Sequence, residues 1–281
     1  MEISSSSLSF RISLIEVDAL KAHEEVVDSI VDFLANDMLT EGKVRDPLIV
    51  DQEECVILDG MHRYSSLKSL KCRFIPCCLV DYDSPLIRVG AWFRLFAVDQ
   101  PESLAEKVLT ENKLRYSRER IKFDDMTCET QTIILTSTET AFSLTQPLEP
   151  VEQARTAVLV EKSMAKLGHV AEYLSEIVAI QNLRSGKRNL VISLPVFTKR
   201  QIRDLGQRGL LLPHKVTRHV IPSRPLHINV PLQILKDATI SQQEADRKLG
   251  NLLAERQVER KDPGSIVDGR RYEEELLVFS S

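Results

Sequence analysis

Residues Val56–Leu67, VILDGMHRYSSL, decide how the rest of the chain is read. Three apolar residues, Val56–Leu58, run into Asp59-Gly60, and a segment with Tyr64, Leu67 and Leu70 at helical spacing follows from Arg63. The pattern predicts a buried strand, a glycine turn and a helix. Such a turn leaves backbone N–H groups unpaired at the helix start, where the helix dipole favours an anion. His62 and Arg63 add side-chain donors, and a guanidinium suits bidentate phosphate recognition. Asp59 has three readings: it could hold a divalent cation, orient a cationic neighbour, or cap a plain strand–turn–helix corner.

Working outward, Pro47–Val50 and Cys55–Leu58 are short apolar runs that predict paired strands across the acidic turn Asp51–Glu54. Phe10–Val17 alternates as a strand does, and Phe74–Tyr82 predicts another strand. Asp28–Met38 carries Ile30, Val31, Phe33, Leu34 and Met38 at helical spacing, with Gly42 as a stop signal. Residues 1–100 therefore read as a small α+β unit. Further on, Gln100–Phe123, Val151–Lys166, Val170–Ile177 and Lys199–Gln207 read as helices, Thr132–Leu135 and Ala141–Leu144 as a hairpin, and Leu190–Ser193 as a strand. Residues 101–236 form the expected second lobe. Residues 237–281 read as an extension, helix-prone over Asp237–Glu259 and a flexible tail from Arg260.

The 281 residues are 43% hydrophobic and 28% charged, with a net charge of −4. That composition excludes disorder, collagen and a disulfide-rich miniprotein. No apolar run reaches the roughly 18 residues of a membrane span, and the serine-rich Met1–Phe10 lacks the pattern of a secretory signal. The acidic balance argues against a nucleic-acid partner. Five cysteines, Cys55, Cys72, Cys77, Cys78 and Cys128, include no CxxC pair. They read as reduced structural thiols of a cytoplasmic protein rather than zinc ligands.

Two further clusters carry chemistry. His23-Glu24-Glu25 puts adjacent carboxylates before the first helix, where they either complement its dipole or supply a general base near a phosphate site. His214–Pro222, HKVTRHVIP, gathers Lys215, Thr217, Arg218 and His219, a solvated basic patch or an anion clamp. Trp92, the only tryptophan, taken alone reads as core rather than as a ligand platform.

Together, HEE at His23–Glu25, LDGMHRYSSL at Leu58–Leu67 and KVTRHVIPSRPLHINVPLQIL at Lys215–Leu235 resemble, in order and spacing, the free L-serine kinases built on the ParB/sulfiredoxin fold. The resemblance spans residues 10–236. It implies an α+β fold, with a ParB/sulfiredoxin-like nucleotide lobe, a second α+β lobe and an active-site cleft between them. It implies a kinase that transfers a phosphoryl group from ATP or ADP to the hydroxyl of free L-serine, with Mg2+. Glu24 falls opposite the catalytic glutamate. Asp59, Gly60, Met61, His62 and Arg63 fall on the phosphate loop, with Asp59 as catalytic and metal-binding residue. Trp92, Thr217, Arg218 and His219 fall on the serine end. The chain departs from the family's DGHHR at Met61, because a thioether donates no hydrogen bond to phosphate. Met61 also stands where sulfiredoxins carry a reactive cysteine, which argues against that chemistry. The alternative expectation is a ParB-like nucleotide-binding regulator, with a helix-turn-helix within residues 101–180 acting on DNA or a protein partner.

Overall fold

The computed structural model describes residues 2–4, 8–122, 132–145 and 149–280. Cys128 and the expected helix end at Phe123 lie outside them. The chain forms two compact units, each discontinuous in sequence: residues 1–88, 199–211 and 219–281, and residues 89–198 and 212–218.

The first unit opens with β1 (Glu2–Ser4), β2 (Ser9–Glu16), α1 (Asp28–Glu41), β3 (Lys43–Val44), β4 (Leu48–Asp51), β5 (Ile57–Asp59), α2 (Met61–Ser69) and β6 (Phe74–Val80). A five-stranded sheet runs in the order β1-β2-β6-β4-β5. β6 is buried along its whole length: β2 pairs antiparallel along one edge and β4 parallel along the other, and its apolar residues, Phe74–Val80, fit a strand covered on both faces. α1 stops where expected, at Gly42 in the left-handed conformation. Cys72, Cys77 and Cys78 are buried and reduced, and Cys55 is half-buried. Among the described residues no group of His, Cys, Asp and Glu is arranged to hold a metal, and no helix is long and apolar enough to cross a membrane.

The second unit is built on a six-stranded sheet. Its order is Glu172–Leu174, Phe93–Phe96, Leu190–Ile192, Ile133–Thr136, Thr140–Leu144 and Tyr116–Arg120, every pairing antiparallel. The expected hairpin is present, but the expected helix Gln100–Phe123 ends at Glu111 and Tyr116–Arg120 is an edge strand. Its charged side chains face solvent, so no apolar period marked it as a strand. Residues 172–174 likewise form a strand where a helix was expected. Where a regulator's helix-turn-helix was expected, the described residues of 101–180 alternate the helices Pro101–Glu111 and Pro150–Lys166 with four strands of this sheet.

The largest correction concerns residues 237–281. The helix Gln242–Ala254 is as expected, but the flexible tail is a strand system. Glu275–Ser280 is the central strand of a three-stranded sheet, parallel to Ser223–Leu226 and antiparallel to Gln257–Lys261. Leu276–Phe279 are all buried. Charge, Pro263 and Gly264 suggested a tail, whereas the apolar run Leu276–Phe279 makes the closing segment core. The boundaries expected near residues 100 and 236 therefore differ from the units observed, since residues 219–281 complete the first unit. Phe279→Ala is expected to destabilise the protein by about 3–5 kcal/mol, read from urea unfolding; an unchanged midpoint would restore the flexible tail.

Candidate functional site

β5 delivers Asp59 to the edge of the buried sheet, and the chain turns at Gly60 into α2. Gly60 has φ +104°, and a Cβ there would lie 2.5 Å from Leu48 Cδ2 and 2.9 Å from Arg63 Nη2. The turn thus needs glycine for conformation and for space. Met61 is buried in the first turn of α2, so its side chain is core and only its backbone can face a ligand. This removes the chemical conflict of a thioether in a phosphate loop.

Asp59 Oδ2 accepts from Arg63 Nη2 at 3.2 Å and from Arg224 Nη1 at 2.9 Å. Burial opposes ionisation of Asp59, but Arg224 and then Arg63 outweigh it and hold the carboxyl well below the usual carboxylate range. Arg224 in turn pairs through Nε with Glu274. Of the roles open to Asp59, orienting cationic side chains fits this geometry. A resident divalent cation does not fit, because both guanidinium groups already hold the same carboxylate oxygen and, among the described residues, no cluster of further donors surrounds it.

Glu24 and Glu25, expected before the first helix, lie on the segment that ends before α1 begins at Asp28. Glu24 is half-buried and Glu25 exposed. Glu24 is fixed from both sides. His23 is buried beside it, and the Val27 N–H donates to His62 Nε2 at 3.1 Å. His62 therefore acts as an acceptor that ties the segment carrying Glu24 to the phosphate-type turn. Ser66 Oγ strengthens the tie by donating to Val31 O at 2.8 Å.

His219 was expected as a cation or ligand at the serine end. It is buried in the first unit, with Nε2 2.8 Å from Tyr82 Oη and its ring edge-on to His23 at 5.7 Å. Burial first, then the neighbouring His23, pushes its pKa down to about 3. Burial pushes His23 down to about 4, against a hydrogen bond to the Ile57 backbone. Both rings are neutral at pH 7 and form the floor beneath β5.

The second unit holds Trp92, Thr217 and Arg218. Trp92 is half-exposed rather than core, with Lys215 Nζ 4.3 Å and the Arg218 guanidinium 5.5 Å from its ring. Thr217 is buried. Arg94, fully buried, donates to Glu161 at 2.8 Å and to Trp92 O at 2.8 Å, which fixes the backbone that carries the tryptophan. The sequence reading missed Arg94, Arg224 and Glu274. The signal for the first two was an arginine inside an apolar strand, FRLF and SRPL; Glu274 had none.

No protein-family model matches the chain. An ATP-dependent L-serine kinase of Desulfurococcus mucosus is 28% identical over 231 residues, covering 79% of this chain and 90% of that protein. An ADP-dependent L-serine kinase of Thermococcus kodakarensis is 26% identical over 232 residues, covering 79% and 91%. A solved free serine kinase in complex with AMP matches with a TM-score of 0.66 and 23% identity, over 83% of this chain and 96% of that one. The chain is similar to the free L-serine kinases. The α+β fold expected from the three sequence segments is the fold observed, shared with a free serine kinase over most of both chains.

The two buried histidines set an acid limit on this serine-kinase-like fold. Each has a native pKa below the ordinary 6.5, so as pH falls the unfolded chain takes up protons that the folded one refuses. Their contribution is complete above pH 6.5 and is lost from 6.5 down to about 4 for His23 and about 3 for His219, at no more than about 1.4 kcal/mol per pH unit for each histidine. Urea unfolding from pH about 7.5 to about 5 should show this slope, and His219→Gln should flatten it; an equal slope in both proteins would refute the assignment.

Proposed function

We propose that this chain transfers a phosphoryl group from a nucleoside polyphosphate, ATP or ADP, to the hydroxyl of free L-serine, giving O-phospho-L-serine. The observation that carries the reading is the match of proteins named L-serine kinase to 79% of the chain. The local chemistry of the first unit supports it. Phosphoryl transfer needs in-line positioning, charge neutralisation and a proton acceptor more than covalent help.

In this reading the Gly60 turn and the start of α2 receive the nucleotide phosphates, with Arg63 as the side-chain cation. Asp59 acts by orienting Arg63, which it meets at 3.2 Å. Magnesium would act by neutralising and orienting the polyphosphate; it is assigned to no residue here, and no step is routed through it. His62 acts as a positioning residue that holds the segment of Glu24. Glu24 accepts the proton of the serine hydroxyl. The transition state is loose, so a carboxylate need not remove that proton in advance. Arg218 and Thr217 are proposed to recognise serine, with the guanidinium on its carboxylate and Trp92 as the platform beside it.

Serine incubated with ATP or ADP and magnesium should yield phosphoserine, detected by 31P NMR or mass spectrometry; absence of product with either donor overturns the reading. Glu24→Gln should lower turnover by about 10²–10⁴ with nucleotide affinity nearly unchanged, whereas exposed Glu25→Gln should cost far less. Equal losses in the two variants would remove the general-base role from Glu24.

A further inference from the structure

The Arg224 guanidinium joins the closing segment of the chain to the Asp59 turn. Arg224 stands on Ser223–Leu226, and the partner of that strand is Glu275–Ser280, with Ser223 opposite Glu275 and Arg224 opposite Leu276. The junction is fastened by Glu275 N–H to Pro222 O at 3.3 Å and by Ser223 Oγ to Glu275 at 3.2 Å. Glu274, the residue before this strand, is thereby placed against Arg224. Both side chains are largely buried, with 13% and 10% exposure. Arg224 meets Glu274 at Nε and Asp59 at Nη1. A guanidinium is planar and rigid, so two carboxylates on different nitrogens fix its plane and its reach. With Asp59 alone it could pivot about that contact.

We propose that Glu274 is a positioning residue for the phosphate-type turn: held by the closing strand, it fixes Arg224, and through Arg224 it fixes Asp59 and Arg63. The proposal makes the segment beyond residue 236 part of the working unit. Its kinetic consequence rests on the serine-kinase reading; the geometric one does not.

The test compares Glu274→Ala, Glu274→Gln and Phe279→Leu, the last a packing change at the far end of the same strand. In amide NMR spectra, Glu274→Ala should shift the Gly60–Arg63 amides and the Arg224 Nε–H. Phe279→Leu should leave them in place. Glu274→Gln keeps an acceptor and should restore most of the wild-type positions. In serine-kinase assays Glu274→Ala should lower turnover by about 10-fold, with the serine KM within about 2-fold of wild type, and Glu274→Gln should recover most of the loss. A structural role alone would make Phe279→Leu and Glu274→Ala equivalent at matched folded fraction. Unmoved Gly60–Arg63 amides in Glu274→Ala overturn the proposal whatever the reaction. Full turnover in that variant of an active enzyme overturns it as well. If the wild type makes no phosphoserine, the functional reading falls, and the NMR comparison still decides the relay.

Discussion

Asp59 ends a strand whose apolar residues are buried, and its single oxygen Oδ2 receives both Arg63 and Arg224. A carboxylate taken partly out of water must be compensated, or it takes up a proton. Two guanidinium groups supply that compensation from different directions: one from the next turn of the chain, the other from a strand 165 residues away. The local pair alone would leave the turn free to rotate with α2. The distant pair joins the turn to Ser223–Leu226, the strand that pairs with Glu275–Ser280 in the first unit.

Beneath this charged edge the unit buries two imidazoles. His23 and His219 are neutral because burial outweighs their local hydrogen bonds. They sit against the Ile57 and Tyr82 region of the core rather than in solvent. The division is physically economical. Cationic side chains that are paired and held apart remain available at the rim, while the imidazoles that a sequence would suggest as ligands or bases act as packing. What distinguishes Glu24 is that buried His23 and the Val27–His62 bond fix the backbone on both sides of it.

The second unit uses the same device in another form. Fully buried Arg94 spans Glu161 and the Trp92 carbonyl, and the half-exposed indole then carries Lys215 and Arg218 on its ring. An exposed aromatic is ordinarily mobile. One whose backbone is clamped from below offers a fixed face to the two cations beside it.

The sequence by itself determined the elements whose signals are local. The buried run of β6, the strand–glycine–helix order at Val56–Leu67 and the stop of α1 at Gly42 follow from apolar period and turn chemistry, and they stand where expected. The three segments that resemble the serine kinases were legible for the same reason: each is short and contiguous. Tertiary structure alone decided which charges meet. No spacing pairs Asp59 with Arg224, or Arg224 with Glu274. His219 reads as a cation beside Arg218 and becomes a neutral core residue once buried against Tyr82. Met61 reads as a defective ligand and becomes core. The edge strand Tyr116–Arg120 was missed because pairing, not intrinsic period, makes it a strand, and the closing strand because its short apolar run Leu276–Phe279 follows charged, proline- and glycine-bearing sequence. Burial and long-range ion pairing arise only when distant segments share a core, so chain order could name the candidate residues but not assign their protonation or their partners.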